Sequence, residues 1–296
     1  MMQRGFTLIE MVMVIMITSI IATLGAKMIK TAFDGYYDVA NRVNTLGNAD
    51  IALHHLRQDI HQALPNSIRL SCNNRCLELL HVRDSGRYRA ALSPLATEDI
   101  LDFSSNDNSF DITSGLAETP IGTAHSISTS NAASACENSI ADCLVINPAL
   151  TGLQDAYQPS NRTTITAALP AINPNQLNFV NFNFPQASTK QRFYIVDTPI
   201  TYICDPTTGT LQRYHDYTIT PNLVSSDAEL LGRNNPAERS LLSNHITDCQ
   251  FQLQGDAVSG STVSINLTYS YQDPALNQGE IQTYSVFNQV KIKGRP

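Results

Sequence analysis

The feature that most constrains this chain is an apolar N-terminal run that contains a single charge. From Phe6 to Ala26 the only charged residue is Glu10, and a run of this length is about sufficient to cross a bilayer as a helix. Arg4 precedes the run and supplies the positive charge expected on the cytoplasmic side of a membrane. A carboxylate near the centre of a bilayer costs about 2.5–3.5 kcal/mol, and less near the edge, so Glu10 requires a partner.

Two ordinary explanations of this run are weaker. A secretory signal peptide would be removed after the apolar stretch, but the run exceeds the usual hydrophobic region and no clean A-x-A site follows it. A plain membrane anchor would leave Glu10 unexplained, because an intramembrane carboxylate needs a specific partner.

The residues around Glu10 resemble a known signal. The string Gly5-Phe6-Thr7-Leu8-Ile9-Glu10, followed by Met11-Val12, is similar to the type III prepilin signal of type IV pilins and type II secretion pseudopilins. This resemblance implies that a prepilin peptidase cuts between Gly5 and Phe6 and methylates the new amine of Phe6. It also implies that Glu10 pairs with the N-terminal ammonium of a neighbouring subunit. The carboxylate and the ammonium each cost free energy when they are alone in lipid. The two charges offset one another only when subunits stack in register.

Beyond the apolar run the sequence predicts a continuation of the same helix. No proline occurs between Lys27 and Pro65, and apolar residues recur every three or four positions at Val43, Leu46, Ala49, Leu53, Leu56 and Ile60. The other faces carry Asn41, Arg42, Asn48, Asp50, Arg57 and Asp59. We expect a leader at 1–5, a membrane or filament-core segment at 6–29 and an amphipathic half at 30–64. A helix over 6–64 would be roughly 90 Å long, and Pro65 would end it.

After Pro65 the apolar period changes from helical spacing to two. Val263, Ile265, Leu267, Tyr269 and Tyr271 alternate with polar residues, as do the sets Cys249, Phe251, Leu253 and Val180, Phe182, Phe184. Further strands are predicted at 194–196, at 200–203 and over the set Tyr284, Val286, Val290, Ile292. We therefore expect an α+β, pilin-like fold, in which the long helix packs on an antiparallel head at 66–296. A polar, proline-containing stretch at about 104–175 is interpreted as a low-complexity elaboration of this head.

The chain contains an even set of cysteines: Cys72, Cys76, Cys136, Cys143, Cys204 and Cys249. Six cysteines allow fifteen connectivities, so spacing only suggests the pairs. The two close pairs, Cys72 with Cys76 and Cys136 with Cys143, would leave Cys204 with Cys249. Buried free thiols remain an alternative. Zinc is disfavoured because the spacings are not C-x2-C and no histidine lies beside either close pair.

A second resemblance lies near the C-terminus. Asp205, Gly209, Leu211 and Arg213 follow the pattern D-x-x-x-G-x-L-x-R, which is similar to a hairpin of J-type pseudopilins and PilW-like minor pilins. The later 241–251 segment and the last two strands fit the same order. The resemblance implies a minor pilin of a type IV pilus tip complex, or alternatively a J-type secretion pseudopilin.

Other chemistry is weakly supported. The net charge of −7 argues against nucleic-acid binding, and no motif indicates a catalytic site, a cofactor or a metal. His125-Ser126 and His215-Asp216 are single occurrences, and His54, His55 and His61 lack ligand spacing. The cluster Asp102, Asn106, Asp107, Asn108 and Asp111 lacks the spacing of a calcium loop and favours a turn. An anchored enzyme, or an adhesin that stacks sugars on Tyr157, Tyr214 or Tyr217, remains the alternative from another class.

The resemblances imply partners and a location. The expected partners are the prepilin peptidase, other minor pilins and the major pilin, an inner-membrane assembly platform, and the lipid bilayer before assembly. The chain would cross the bacterial inner membrane once, with its head in the periplasm, and would later enter a pilus or pseudopilus.

Overall fold

The computed structural model describes residues 7–92, 98–116, 127–149, 152–168, 175–256, 260–272 and 281–292. The chain divides into two compact units, one of residues 1–47 and 270–284 and one of residues 48–269 and 285–296. In the first unit, the guanidinium carbon of Arg42 lies 5.4 Å from the ring centre of Tyr284. The second unit is the β-rich head. A long helix followed by antiparallel sheet confirms the predicted α+β, pilin-like fold.

The predicted helix is a single element, α1 (Leu8–His61). It ends three residues before the expected boundary at Leu64. The backbone N–H of Leu64 donates to the carbonyl of Leu80 at 2.8 Å, and Ala63 forms an isolated bridge with His81. The chain therefore changes from helical to strand pairing before Pro65 is reached.

Nine strands form the larger sheet of the head, and every pairing described for it is antiparallel. They are β1 (Arg69–Ser71), β2 (Cys76–Tyr88), β3 (Asp107–Gly115), β4 (Cys143–Ile146), β5 (Arg162–Ala168), β6 (Gln176–Phe182), β7 (Arg192–Asp205), β8 (Thr210–His215) and β9 (Glu238–Ser243). Their order is β1-β2-β3-β6-β5-β4-β7-β8-β9, and β2 also pairs with β7. Strands β2, β3, β6, β5, β4 and β7 thus form a closed ring.

Each strand of this ring contributes to one buried cluster. The cluster includes Tyr88, Phe110, Leu144, Ile146, Ile165, Leu177, Phe179, Phe193 and Ile195. The stretch at about 104–175, expected to be an elaboration, supplies β3, β4 and β5, so these strands lie within the ring. On β6 the buried positions are Leu177 and Phe179, whereas Val180 is half-buried. The inward face of this strand therefore differs from the predicted one.

The segments at 194–196 and 200–203 belong to the single strand β7, which passes through Pro199. Pro199 faces Leu80 next to a register shift in the β2–β7 pair, which is where a proline is tolerated in a sheet. The hairpin expected after Cys204 is present: β7 turns into β8 at Gly209, whose φ is +69°. This left-handed conformation favours glycine.

The smaller sheet contains β10 (Ile246–Asp256), β11 (Gly260–Gln272) and β12 (Ile281–Lys291) in that order. Val263, Ile265, Leu267 and Tyr269 are buried as predicted, and the side chain of Tyr271 lies outside the described residues. These side chains share one core with residues of α1, β2 and β7: Ala49, Ala52, Leu53, Leu56, Ile60, Leu77, Leu79, Ile200 and Tyr202. The apolar stripe of α1 is buried only from Ala49 onwards, since Val43 and Leu46 are exposed.

One buried carboxylate fixes α1 to the larger sheet. Asp59 is 7% exposed, and its Oδ2 accepts hydrogen bonds from the Tyr202 hydroxyl at 2.5 Å and from Arg213 Nε at 2.7 Å. Tyr202 and Arg213 are direct partners across β7 and β8. The assignment of Asp59 to the polar faces of the helix was wrong. The sequence contained the signal, because position 59 follows Leu56 by three residues and so falls on the apolar stripe.

The structure joins the six cysteines in three disulfides, Cys72–Cys76, Cys136–Cys143 and Cys204–Cys249. The first two span 4 and 7 residues, whereas the third spans 45 residues. Cys204 is on β7 and Cys249 is on β10, so the third disulfide ties the larger sheet to the smaller one.

We predict that Asp59→Ala lowers the free energy of unfolding by about 2 kcal/mol, because it leaves the charged donor Arg213 and the neutral donor Tyr202 without their acceptor. The measurement is chemical denaturation of the full chain in detergent. Asp50→Ala is the matched control, since Asp50 lies exposed on the same helix. Equal losses for the two variants would contradict an anchoring role for Asp59.

We also predict that the disulfides contribute unequally to the stability of the folded head. Loop-closure entropy gives about 4 kcal/mol for the long Cys204–Cys249 loop and about 2 kcal/mol for the short Cys72–Cys76 loop. Thermal unfolding of the two double Cys→Ser variants should therefore show the larger loss when Cys204 and Cys249 are replaced. A larger loss from the short loop would contradict this order.

Candidate functional site

The described part of the N-terminal segment begins at Thr7, so the predicted cleavage and methylation residues, Gly5 and Phe6, lie outside the described residues. Thr7 and Glu10 form a capping box at the start of α1. The backbone N–H and the hydroxyl of Thr7 donate to Glu10 Oε2 at 3.0 and 2.9 Å, and the N–H of Glu10 donates to the Thr7 hydroxyl at 3.4 Å. Such a reciprocal pair satisfies donors that a helix start otherwise leaves unpaired.

The capping box uses one carboxylate oxygen of Glu10. Both hydrogen bonds from Thr7 end on Oε2, and within the described ranges nothing donates to Oε1. The Thr7 contacts hold the carboxylate against the first turn of α1 and leave its second oxygen open to another donor.

The side chains of the apolar half of α1 are exposed in the described part of the chain. Large apolar side chains are exposed along this stretch, among them Leu8, Ile9, Met11, Val12, Ile15, Ile17, Ile20, Ile21, Leu24, Met28, Ile29 and Phe33. The helix is long and apolar enough to cross a membrane, and none of its most apolar stretch is buried. An exposed surface of this kind is stable in lipid or against other apolar helices.

The histidines considered as ligands form no metal site with one another. The rings of His54 and His55 lie 6.1 Å apart, edge to face, and neither residue nor His61 belongs to a group of three possible ligands among the described residues. His125 and Ser126 lie outside those residues. In the described part of the chain no serine, threonine or cysteine side chain hydrogen-bonds a histidine.

One trio of possible ligands is present on the surface of the larger sheet. Donor atoms of His215, Asp216 and Glu238 lie within 4.8 Å of one another, and His215 and Glu238 are direct partners across β8 and β9. The three side chains are exposed or half-buried. Such proximity is common on paired strands, so the trio does not by itself indicate a metal site.

The candidate calcium cluster forms a hydrogen-bonded turn. Asp102 accepts from the N–H and the hydroxyl of Ser104, both at 2.7 Å, and from the hydroxyl of Ser105 at 2.7 Å. These hydrogen bonds lower the pKa of Asp102 to about 2. Asp107 in turn accepts from the N–H of Asp102 at 2.9 Å. The carboxylates therefore satisfy local donors, as in an Asx turn.

The three tyrosines considered for sugar stacking are buried and cannot form an exposed platform. Tyr157, Tyr214 and Tyr217 are each at most 2% exposed. Tyr157 lies beneath the guanidinium of Arg69, whose carbon is 3.5 Å from the ring centre. Tyr217 donates to the carboxylate of Glu78 at 3.2 Å. These side chains belong to the interior of the head.

Glu78 is the centre of an interior network that the sequence analysis missed. It is 1% exposed and accepts from Arg69 Nε at 2.7 Å. Burial raises the pKa of the Glu78 carboxyl, although the charge of Arg69 opposes the shift. Arg69 also donates to the carbonyls of Thr220, Pro221 and Asn222. A charged residue inside the apolar run 76–80 was the available signal, because such a residue needs a buried partner.

A second buried carboxylate lies beside the Cys136–Cys143 disulfide. Oδ2 of Asp142 accepts from the N–H of Ser128 at 3.1 Å and lies 3.2 Å from Arg83 Nε. Burial raises the pKa of Asp142 to about 6, although Arg83 opposes the shift.

Comparison with known families and proteins finds a match for the N-terminal segment alone. Residues 1–26 match the prokaryotic N-terminal methylation motif. Neither the curated proteins nor the solved structures contain a match to this chain. The motif supports a type IV pilin-like protein that is a substrate of prepilin peptidase and assembles with other pilins. The motif and the exposed apolar helix fit a membrane-anchored subunit with a periplasmic head.

We predict that Asp142 gives the head a pH-dependent stability. The carboxyl titrates at about 6 in the folded state and near its usual value of 3.8 when unfolded. Its stabilising contribution is therefore complete below pH 3.8 and is lost as the pH rises through about 6. Asp142→Asn should remove this slope in thermal unfolding between pH 4 and 6.

Asp102→Asn is the control for this measurement. The folded-state pKa of the Asp102 carboxyl is lowered, so its contribution to folding stability is present above pH 3.8 and is lost as the pH falls towards 2. An unchanged slope in Asp142→Asn between pH 4 and 6 would show that Asp142 does not titrate there.

Proposed function

We propose that this chain is a minor pilin, processed between Gly5 and Phe6, methylated at Phe6 and built into a type IV pilus. The observation that carries the proposal is the match of residues 1–26 to the N-terminal methylation motif. The exposed apolar half of α1 supports it, because a subunit that moves from lipid into a helical filament core needs an apolar surface in both places. On this proposal the chain spans the bacterial inner membrane once and meets the assembly platform there.

The proposal of a minor-pilin role is based on features of the head. Its Asp205–Arg213 hairpin resembles that of J-type pseudopilins and PilW-like minor pilins, and its C-terminal layout is similar to MshO of the mannose-sensitive haemagglutinin (MSHA) pilus. A head of this size favours a low-copy subunit, and we place it in the tip complex that initiates assembly, beside other minor pilins.

The proposed assembly contact is made by Glu10. In lipid its charge is offset when the N-terminal ammonium of a neighbouring Phe6 approaches. The capping box supports this role, because Thr7 occupies Oε2 and leaves Oε1 available to that ammonium. Thr7 would thus hold the carboxylate in position for the neighbour.

A J-type pseudopilin of a type II secretion system is the second candidate, because the same hairpin resemblance supports it. Deletion of the gene separates the two. A pilin is expected to be needed for surface pili, whereas a pseudopilin is expected to be needed for protein secretion with pili unaffected.

We predict that Glu10→Gln inserts into the membrane normally but enters sheared pili at about one-tenth of the wild-type level or less, since the interaction of unit charges in a low-dielectric medium is large. Glutamine keeps an acceptor for the Thr7 donors, so the variant removes the charge while the cap is retained. Quantitative immunoblots of membrane and pilus fractions provide the measurement.

Asp50→Asn is the matched control for this experiment, because it removes an exposed carboxylate from the same helix. It should enter pili as the wild type does. Normal incorporation of Glu10→Gln would refute the charge pairing, although the pilin assignment would still stand on the processing of residues 5 and 6.

A further inference from the structure

The smaller sheet of the head has one buried face and one outward face. On β10 and β11, Phe251, Ile265 and Leu267 belong to the core that the sheet shares with α1. Side chains alternate along a strand, so the residues between these positions point outward. Over 250–254 on β10 and 262–268 on β11, the outward residues carry amide and hydroxyl side chains only. This part of the outward face is therefore polar and uncharged.

Four of these outward side chains form a compact group. Gln250 and Asn266 are direct partners across β10 and β11, and so are Gln252 and Ser264. Nε2 of Gln252 donates to Oε1 of Gln250 at 3.3 Å. Asn266 is exposed, and its side chain makes no hydrogen bond to any described residue. The carboxamides of Gln250 and Asn266 thus have donors available for a ligand.

An exposed aromatic ring lies beside this group. Phe287 on β12 is 62% exposed. Two side-chain contacts flank it on the same face: the hydroxyls of Ser285 and Thr268 lie 3.1 Å apart, and Nε2 of Gln289 donates to the hydroxyl of Ser264 at 3.3 Å. Phe287 lies midway between these two contacts along β12, so its ring is next to the amide group.

The ring and the amide group together line a shallow depression of about 90 Å³. Its described lining residues are Gln250, Gln252, Ser264, Asn266 and Phe287, and none of them is charged. Sites that enclose a small molecule have volumes of about 300–1,000 Å³. A ligand would therefore lie against this surface and contact it with one side only.

We propose that this face binds a neutral hexose unit of a glycan, which stacks on Phe287 and hydrogen-bonds to Gln250 and Asn266. One side of a pyranose ring presents mainly C–H groups, which pack on the electron-rich face of an aromatic ring. Its hydroxyls both donate and accept, as carboxamides do. A charged ligand lacks a counter-charge here, since Asp248 and Lys291 lie outside the depression. The proposal is independent of the pilus assignment.

The same surface is poorly suited to a protein partner. A stable interface buries about 800 Å² on each partner, whereas one aromatic side chain supplies about 150–250 Å². Among the described side chains, Phe287 is the one large apolar group on the outward face of this sheet. A single ring is too small for the centre of a protein interface, but it is sufficient to stack one sugar ring.

The test is surface plasmon resonance on the full chain, immobilised at high density in a detergent without a sugar headgroup. The probes are polyacrylamide conjugates that carry many copies of glucose, galactose or mannose. Many copies are needed because a shallow site of this kind gives a monovalent Kd of about 1 mM. We expect at least one neutral conjugate to bind and the matching free sugar to inhibit that binding. The bare polymer and a conjugate of sialic acid, which is charged, should not bind.

Phe287→Leu separates ring stacking from general apolar contact. Leucine keeps a large apolar side chain but has no ring, so binding should fall about tenfold or more, whereas Phe287→Tyr should retain it. Leu241→Ala is the matched control, because Leu241 is also an exposed apolar residue, 60% exposed on β9, and lies outside the depression. It should bind the conjugates as the wild type does.

Four results would overturn the proposal. The first is the absence of sugar-inhibited binding to every neutral conjugate, and the second is equal binding by Phe287→Leu and the wild type. The third is binding of the sialic acid conjugate as strong as that of the neutral ones. The fourth is an oligomer in detergent that Phe287→Ala disperses, which would assign this face to a second copy of the chain.

Discussion

Burial of one short helical stripe, from Ala49 to Ile60, is the constraint on which the head depends. These side chains share a single core with β2 and β7 of the larger sheet and with β10 and β11 of the smaller one, so both sheets need the helix to complete their packing. Apolar burial has no preferred direction, whereas the hydrogen bonds from Tyr202 and Arg213 to Asp59 fix the rotation of the helix about its axis. The Cys204–Cys249 disulfide then links the two sheets that the helix joins through packing.

The first half of α1 is stabilised in a different way. Among the described residues its apolar side chains are exposed and join none of the buried clusters, so their stability depends on lipid or on other helices. The capping box at Thr7 and Glu10 belongs to this half and has two consequences. It satisfies donors at the helix start, and it holds a carboxylate with one oxygen still able to accept from a neighbour. A helix start and a charge-pairing site are thereby built from the same two side chains.

Patterns that depend on local spacing were predictable from the sequence. The long helix, the alternating strand at 263–269 and the hairpin after Cys204 each follow from residue periodicity or turn chemistry. The closed ring of six strands could not be predicted in this way, because it depends on β2 pairing with β3 and β7, whose sequence positions lie far apart. Polar residues such as Glu78 and Asp59 were misread or missed, since their partners come from distant strands.

The central claim is that this chain is a processed prepilin-type subunit, and the most direct test is mass spectrometry of its N-terminus. The protein would be isolated from native membranes of cells with and without the prepilin peptidase. We predict a chain that begins at methylated Phe6 when the peptidase is present, and one that retains residues 1–5 when it is absent. A chain that begins at Met1 in both strains, or one cut near Ala26, would contradict the assignment and would indicate an ordinary anchor or signal peptide.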